Sequence, residues 1–239
     1  MKEFEQETQA RIDANGKDQK LRTDANAFLA SSLDAQYSYN FSWMGRPIIQ
    51  YPQDIVAMQE IIWSIQPDLI VEIGIAHGGS LIFSASMLEL NAACGGPQDA
   101  RVIGVDIDIR EHNKTAIDDH PMSRRIDMIE GSSIAAEVID QVKALAGTRQ
   151  NVLVFLDSNH THDHVLAELE AYAPLASPGS YCVVFDTLVE DFPRQTSRDR
   201  PWGKGDNPKT AARKYLENHP EFVVDRHMDN KLLISAAPE

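Results

Sequence analysis

The sequence predicts a doubly wound α/β fold, with a mostly parallel sheet and a helical arm at the N-terminus. Short apolar runs alternate with helical stretches from residue 55 onward, a glycine-rich turn follows the first run, and residues 1–42 are polar with helical spacing. Bounded apolar runs of this length are typical of parallel strands buried on both faces. Their alternation with helices indicates a Rossmann-like sheet that helices cover on both sides.

Seven segments are predicted strands, which together make a mostly parallel seven-stranded sheet. The parallel strands are 69–73, 101–105, 126–129, 152–156 and 181–185, with helices at 55–65, 80–90, 111–118, 134–145 and 164–173. A further helix is predicted at 210–218. The segments 222–225 and 232–234 then lie close together along the chain, which predicts an antiparallel pair that closes the sheet.

Two long loops complete the predicted organisation. Residues 37–51 are rich in aromatic side chains and contain Gly45 and Pro47, so we expect this segment to pack on another surface. Residues 191–207 follow the fifth strand, where long loops often act as lids. We divide the chain into an N-terminal helical arm with its aromatic loop, residues 1–53, and a cofactor-binding domain, residues 54–239.

The composition excludes several classes of function. A net charge of −14 disfavours binding to nucleic acid, because phosphate groups would be repelled. The polar N-terminus is unlike a signal peptide, and no apolar run approaches the roughly 20 residues of a membrane helix. The two cysteines, Cys94 and Cys182, form no metal-ligand cluster in the sequence and fit a reducing compartment. The expected location is the cytoplasm.

A glycine-rich turn at 71–80 is the candidate cofactor site. It follows the first predicted strand and opens a helix, whose free N–H groups and close backbone approach suit a bound cofactor. Its pattern is acidic-x-Gly-x-x-x-Gly, formed by Glu72, Gly74 and Gly78, with Ser80 as a further candidate contact. The G-x-G-x-x-G spacing of dinucleotide enzymes is not present. The alternative is a turn that only shapes the loop.

Asp106 ends the second predicted strand, where a carboxylate is placed to accept hydrogen bonds from both hydroxyls of a ribose. Nicotinamide cofactors and methyl donors are both bound in this way, so Asp106 alone does not distinguish them. The ordered set of Glu72, Gly74, Gly78 and Asp106 is more specific than any one of its members.

Asp157 and Asp186 end the fourth and fifth predicted strands and should face the same crevice. Two converging carboxylates repel each other unless they are protonated or bridged by a cation. Mg²⁺ prefers one or two carboxylates with waters and substrate oxygens, and it would lower the pKa of a substrate hydroxyl.

His160 lies three residues after Asp157, where a neutral imidazole is placed to take a hydroxyl proton. The alternative is a histidine that caps the next helix. His162 and His164 are only a weak zinc signal without cysteines, so we interpret them as structural. His77 lies inside the glycine turn, where a contact to the cofactor and a turn-filling role are equally compatible.

The acidic-x-Gly-x-x-x-Gly pattern resembles the first motif of class I methyltransferases, which use S-adenosylmethionine (SAM). Residues 37–236 resemble the cephalosporin hydroxylase and rhamnosyl O-methyltransferase family at 39–43, 50–54, 72–80 and 156–160, and the stretch 157–160 is the most specific part. The resemblance implies that Glu72 lies near the methionine portion of SAM, that Gly74 and Gly78 cradle it, and that Ser132 lies beside the adenine. Residues 54–239 would then be a SAM-binding methyltransferase domain.

The order of Asp157 and Asp186 also resembles the metal-dependent catechol O-methyltransferases. Those enzymes have Asn where this chain has Thr187 and Lys where it has His160, and the antibiotic branch of the first family has Glu-Asp where this chain has Phe185-Asp186. The third metal ligand is therefore open between Thr187 and water. The resemblance implies an acceptor that is a sugar or a sugar-bearing natural product, whereas the residues alone imply only a hydroxyl.

We therefore expect a SAM-dependent, Mg²⁺-assisted O-methyltransferase in which His160 and Asp157 are catalytic. A partner-dependent SAM-binding component of a hydroxylation system is an alternative, and a nicotinamide-dependent oxidoreductase is disfavoured by the glycine spacing.

A homo-oligomer is expected to bury the aromatic loop, since a polar helix precedes it. The residues concerned are Phe41, Trp43, Ile48, Ile49 and Tyr51, and Trp43 and Tyr51 have stacking on a sugar as their alternative role. In the second loop, contact with a polar substrate and simple solvation are equally compatible for Arg198, Arg200, Trp202 and Lys204.

Overall fold

A computed structural model describes residues 2–237 of the chain. Its longer elements are helices and strands in strict alternation from residue 52 to residue 184. The helices are α1 (Lys2–Lys17), α2 (Gln19–Asp34), α3 (Pro52–Ile65), α4 (Gly79–Ala93), α5 (Glu111–Asp118), α6 (Ala136–Ala146), α7 (His162–Tyr172), α8 (Pro193–Thr196), α9 (Pro208–Leu216) and α10 (Arg226–Lys231). The strands are β1 (Ser42–Trp43), β2 (Arg46–Pro47), β3 (Leu69–Ile73), β4 (Arg101–Asp106), β5 (Ile126–Glu130), β6 (Val152–Leu156) and β7 (Cys182–Val184).

The main sheet has the strand order β5-β4-β3-β6-β7, and every neighbouring pair is parallel. Its five strands are the five that the apolar runs predict. The chain first winds from β3 toward β5 and then returns to β6 on the other side of β3. The strand order thus reverses between β3 and β6, and ligands of such sheets bind outside the carboxyl ends of the strands at this point.

Helices cover both faces of the sheet, which confirms the predicted doubly wound α/β arrangement. Successive side chains of a strand point to opposite faces, and β3 divides its residues in this way. Leu69, Val71 and Ile73 pack with side chains of α6, α7 and α9. Ile70 packs on the opposite face with side chains of α3 and α4. Because both faces are buried, the strand is apolar at nearly every position.

The predicted antiparallel pair at 222–225 and 232–234 is wrong, and the main sheet within residues 2–237 has five strands rather than seven. Phe222 packs its ring against Tyr215 of α9, with the centroids 5.7 Å apart, while Val223 is 86% exposed. Asp225 accepts hydrogen bonds from the first N–H groups of α10 and so begins a helix instead of a strand.

Side chains of α3 take the place of a strand partner for the second of these segments. Gln53 Oε1 accepts from the backbone N–H groups of Leu233 and Ile234, each at 3.0 Å. Asp54 Oδ2 accepts from Ala236 N at 2.8 Å. The backbone donors that a sheet would use are therefore satisfied by polar side chains.

The predicted N-terminal helices form α1 and α2. Asp18 caps α2 by accepting from Leu21 N at 3.0 Å. Arg22 donates to the carbonyl groups of Asp229 and Leu232, so the arm contacts the C-terminal part of the chain. The division at residue 53 remains a prediction. Among residues 2–237, there is no helix whose length and apolarity would suit it to span a bilayer.

We predict that the protein is a homo-oligomer, although the structure changes the residues on which this prediction rests. Ile48 and Tyr51 are buried within the chain itself, and Trp43 donates to Ser86 Oγ at 3.0 Å. The side chains of Phe28 and Tyr39 are about half exposed and apolar enough to favour burial against a second copy. Light scattering at micromolar concentration should give a mass of at least two chains, and a monomer there would contradict the prediction.

Candidate active site

The carboxyl ends of β3 and β6 are in direct backbone contact at the point where the strand order reverses. Asp157 N donates to Ile73 O at 2.7 Å, and on the other side of β3 Gly74 N donates to Val105 O of β4 at 2.8 Å. A Cβ atom on Gly74 would lie 2.0 Å from the carbonyl oxygen of Asp157, and the φ of Gly74 is +106°. Only glycine fits here, because any side chain would push the two strand ends apart.

The glycine turn after β3 is held by the side chain of Asp106, at the end of β4. Asp106 Oδ2 accepts from Ile75 N at 2.8 Å and from Ala76 N at 3.1 Å. The carboxylate at the end of β4 therefore orders the turn, and its role toward a ribose stays a prediction. Gly78, with a φ of +81°, directly precedes α4.

Arg46 and Asn113 hold the same turn from the outside, and sequence reasoning missed both. Arg46 donates to His77 O at 2.6 Å and to Asn113 Oδ1 at 2.8 Å, and Asn113 Nδ2 donates to Ala76 O at 3.0 Å. Arg46 lies 31 residues from His77 along the chain. No local pattern marks such a contact.

Glu72 is buried beneath the turn on the α4 side of the sheet. Its Oε2 accepts from Ser84 Oγ at 3.0 Å, and its Oε1 has no hydrogen-bond partner within residues 2–237. Burial raises the pKa of Glu72 to about 7, although the hydroxyls of Ser80 and Ser84 favour the charged form. A buried acceptor without a partner leaves this carboxylate able to receive a further hydrogen bond.

A cleft separates the glycine turn from the segment 47–50. A Cβ atom on Gly79 would lie 2.1 Å from Pro47 O, so this segment rests directly on the start of α4. Gln50 Nε2 donates to Asp157 Oδ2 at 3.2 Å, whereas Gln50 Oε1 is buried without a partner among the described residues. Besides Gln50, the cleft is lined by Pro47, Ile48, Ile49, Gly74, Ile75, Ala76, His77, Gly79, Ser80 and Asp157.

Asp157, His160 and Asp186 converge at one end of this cleft. One ligand atom from each lies within 4.8 Å of the other two, and His160 Nε2 is 3.0 Å from Asp186 Oδ2. Asp157 follows β6, His160 lies in the turn before α7, and Asp186 follows β7. Asp186 adopts a φ of +54°, a conformation that is uncommon outside glycine and found disproportionately at functional sites.

The pKa values of Asp157 and His160 are shifted because charged groups lie close together in this partly buried cluster. Burial, and then the charge of Asp186, raise the pKa of Asp157 to about 8, while the charge of His160 opposes this. Burial lowers the pKa of His160, but the carboxylates of Asp186 and Asp157 outweigh it and hold the pKa above its ordinary value. This set of donors fits a divalent cation, whose charge would relieve the repulsion between the carboxylates.

The remaining candidate residues lie around this centre. Thr187 is buried directly after Asp186, and Ser132 lies in the turn after β5; the proposed roles of both stay predictions. His162 Nδ1 is 2.8 Å from Thr210 Oγ1, and His164 Nε2 is 3.0 Å from Ser133 Oγ. Both histidines thus have polar partners apart from the three-residue cluster, as the structural interpretation expects.

The loop after β7 places an aromatic ring beside the cluster. The rings of Trp202 and His160 meet edge to face, with their centroids 4.6 Å apart. The guanidinium of Arg200 lies over the Trp202 ring at 5.3 Å, and Arg198 pairs with Asp34 of α2 at 2.8 Å. Lys204 is exposed. Trp202 is therefore the member of this loop that borders the site.

Comparison of the sequence with known families and proteins gives a consistent result. A sequence model of the family described as Rhamnosyl O-methyltransferase/CmcI matches residues 35–239. A rhamnosyl O-methyltransferase of Mycobacterium bovis (strain BCG / Pasteur 1173P2) is 29% identical over 202 residues, which cover 82% of this chain and 75% of that protein. One of Mycobacterium leprae (strain TN) is 31% identical over 156 residues, covering 64% and 62%.

A solved structure has a similar fold, although its sequence is only distantly similar to that of this chain. A structure of CmcI with Mg and SAM superposes with a TM-score of 0.56 at 17% identity, covering 83% of this chain and 74% of that chain. At this level of identity the likeness concerns the fold alone. The resemblance that the motifs indicate is confirmed by the family match.

Proposed function

The chain belongs to the Rhamnosyl O-methyltransferase/CmcI family and is therefore an O-methyltransferase, and we propose that it transfers the methyl group of SAM to a sugar hydroxyl with the help of Mg²⁺. One observation carries the proposal: Asp157, His160 and Asp186 converge within 4.8 Å beside the cleft of the glycine turn. A complete set of this kind favours catalysis by this chain over a role as a partner that only binds SAM.

The residues around the cleft fit a bound methyl donor. Gly74 and Gly78 would let the backbone approach the donor closely, with Glu72 toward its methionine portion and Ser80 as a further contact. Asp106 would accept from the ribose hydroxyls, and Ser132 would lie beside the adenine. The unpartnered Oε1 of Gln50 supports this assignment, because the ammonium group of SAM would supply the missing hydrogen-bond donor.

Asp157 and Asp186 would hold the cation, with Thr187 or a water as the third ligand. Their hard oxygen atoms suit Mg²⁺ better than the imidazole of His160 does. When bound, Mg²⁺ supplies a positive charge that polarises the acceptor hydroxyl and lowers its pKa.

His160 would act as the general base. The acceptor oxygen forms its bond to the methyl carbon while the bond from that carbon to the donor sulfur breaks, and the hydroxyl proton passes to Nε2 of His160. Nε2 can accept this proton only when it carries no proton of its own and therefore does not donate to Asp186. A cation held by Asp186 would neutralise that carboxylate and so favour this state of the imidazole. Asp157 and Asp186 would fix the reacting oxygen in line with the methyl group, since methyl transfer depends strongly on that geometry.

Trp202 supports a sugar as the acceptor. Its ring borders His160, and flat aromatic side chains offer an apolar surface next to polar groups. The curated relatives are named for a rhamnosyl acceptor, so a rhamnosyl hydroxyl is the acceptor to test first. The assay would supply a rhamnosyl compound and SAM with a labelled methyl group, and follow label in the product with and without Mg²⁺. Transfer to a catechol but to no sugar would contradict the proposed acceptor.

Binding of SAM should raise the melting temperature, whereas NAD should not. A ligand at 100 times its Kd stabilises the folded state by about 2.7 kcal/mol, which for a chain of this size is roughly 5–10 °C. Asp106→Ala should reduce this shift, because it removes both the proposed ribose contact and two hydrogen bonds that order the turn. Asp108→Ala is the matched control, since its exposed carboxylate lies two residues away. Stabilisation by NAD and not by SAM would contradict the assignment.

A further inference from the structure

A fully buried carboxylate lies behind the proposed site, on the α7 side of the sheet. Glu168 of α7 has 0% exposure, and a single oxygen, Oε1, accepts two hydrogen bonds. The donors are Ser133 Oγ and Ser158 Oγ, each at 2.5 Å. His164 Nε2 lies 3.2 Å from the same oxygen, and Oε2 has no hydrogen-bond partner within residues 2–237.

The two serines belong to different loops of the proposed site. Ser133 follows Ser132 in the turn after β5, where the adenine is expected. Ser158 directly follows Asp157, a proposed ligand of Mg²⁺. One turn further along α7, Tyr172 Oη donates to Ser133 O at 2.5 Å. A single rigid helix thus ties the donor side of the site to the metal side.

The cluster of Ser133, His164 and Glu168 is not a nucleophilic triad. In a Ser–His–acid relay the serine and the acid contact opposite nitrogens of the imidazole ring. Here Ser133 Oγ and Glu168 Oε1 both approach the same nitrogen, Nε2 of His164. Ser133 and Glu168 are also buried, so neither is open to a substrate.

We propose that Glu168 is a positioning residue that couples the binding of SAM to the binding of Mg²⁺ through Ser133 and Ser158. This inference rests on the proposed function. Burial of a carboxylate is costly unless it accepts hydrogen bonds, so any shift of either serine is opposed by the same acceptor. Ordering of the turn after β5 by the donor therefore favours the position of Asp157 that holds the cation, and the reverse holds equally.

The decisive measurement is the Kd of SAM by calorimetry, in the presence and absence of saturating Mg²⁺. In the wild type we expect Mg²⁺ to tighten SAM binding by about 5-fold or more. Glu168→Ala should reduce this factor to about 1 while both ligands still bind. Glu168→Gln should keep most of it, because the amide oxygen can accept from the same two hydroxyls.

The serine variants separate the two halves of the network. Ser158→Ala should weaken Mg²⁺ binding with little change in the Kd of SAM, because it frees the residue next to Asp157 from its hydrogen bond to Glu168. Ser133→Ala should weaken the binding of SAM with little change in the Kd for Mg²⁺. Asn91→Ala is the control, since it removes another buried hydrogen bond, from Asn91 Nδ2 to Ile62 O, far from the site. It should lower the melting temperature and leave the coupling factor unchanged.

Three results would overturn the proposal. Glu168→Ala with the wild-type coupling factor would show that the two ligands interact by another route, and the proposed function would stand. Should Glu168→Ala fail to fold, the serine variants decide. Equal effects of Ser133→Ala and Ser158→Ala on the binding of both ligands would show that the two serines do not act on separate ligands, which contradicts the proposal. A wild-type protein that binds neither SAM nor Mg²⁺ would instead contradict the proposed function and this inference with it.

Discussion

Asp186→Ala should abolish metal-dependent methyl transfer, with a loss of activity on the order of 10³-fold, because a bound cation contributes several kcal/mol to the transition state. The substitution removes one of the two carboxylates proposed to hold Mg²⁺ and leaves Asp157 as a single weak ligand. It is a cleaner test than Asp157→Ala, because Asp157 also borders the donor cleft. EDTA should reproduce the loss in the wild type.

In the wild type, the pH dependence of Mg²⁺ binding should follow the protonation of Asp157. The pKa of Asp157 is raised to about 8 by burial and by Asp186, and a metal ligand must be deprotonated. Below pH 8 the Kd for Mg²⁺ should therefore fall about tenfold per pH unit as the pH rises. Without Asp186 the repulsion is smaller, so the pKa of Asp157 should decrease.

The stability of the metal-free protein should move in the opposite direction. A folded-state pKa above the unfolded value means that the folded protein binds more protons, so its stability falls as the pH rises from about 4 to about 8. The pKa of Glu72, about 7, and that of Asp54, about 6, are raised by burial and act in the same sense. Melting curves between pH 5 and 9 should show this decline, with Mg²⁺ restoring part of the loss above pH 7.

Asp163→Ala is the matched control for the metal test, because Asp163 is exposed on the first turn of α7 and is not a member of the three-residue cluster. It should keep wild-type activity and wild-type sensitivity to EDTA. Full activity in EDTA, together with a fully active Asp186→Ala variant, would exclude the metal mechanism. His160 would then be the base of a metal-free methyltransferase.

His160→Ala should reduce kcat by about 10²–10⁴-fold, which is the usual contribution of a general base, with little change in the Kd of SAM. The base must be neutral to accept a proton. Wild-type kcat should therefore fall as the pH decreases and His160 becomes protonated, which gives the pH profile an acidic limb. This acidic limb should disappear in the variant. His162→Ala, whose imidazole contacts Thr210, should retain the limb.

Metal affinity distinguishes a base from a ligand at this position. If His160 is the base, His160→Ala leaves the Kd for Mg²⁺ nearly unchanged. A ligand role would instead weaken metal binding, and it would predict that Ni²⁺ or Zn²⁺ supports the wild type better than Mg²⁺, because imidazole suits those ions. Unchanged kcat together with an unchanged Kd for Mg²⁺ in His160→Ala would contradict both roles.

The sequence was informative where burial dictates a residue type. The strands 69–73 and 152–156 are apolar at nearly every position because helices cover both of their faces, and this made their ends, and hence the meeting of Asp157 with Asp186, predictable. The need for glycine at position 74 was equally predictable, because no side chain fits there. Each of these constraints acts on a single position or a single element.

Contacts between distant segments were not predictable in this way. Gln50 reaches Asp157 across 107 residues, and the polar pattern of a loop contains no trace of such a contact. The error at 232–234 has a related cause. Three apolar residues in a row look like a strand, but the hydrogen bonds of this backbone go to Gln53 and Asp54 of α3. A short pattern cannot reveal which partner satisfies the backbone.

The backbone contact between Gly74 and Asp157 also determines how a ligand enters and leaves. Because β3 and β6 touch at their ends and are hydrogen-bonded along their length, the crevice cannot widen by parting of the strands. The opposite wall is the segment 47–50, which the main sheet does not hold and which rests on the start of α4. We therefore expect the release of spent donor, and with it the ceiling on turnover, to depend on the contacts of this segment rather than on the strands.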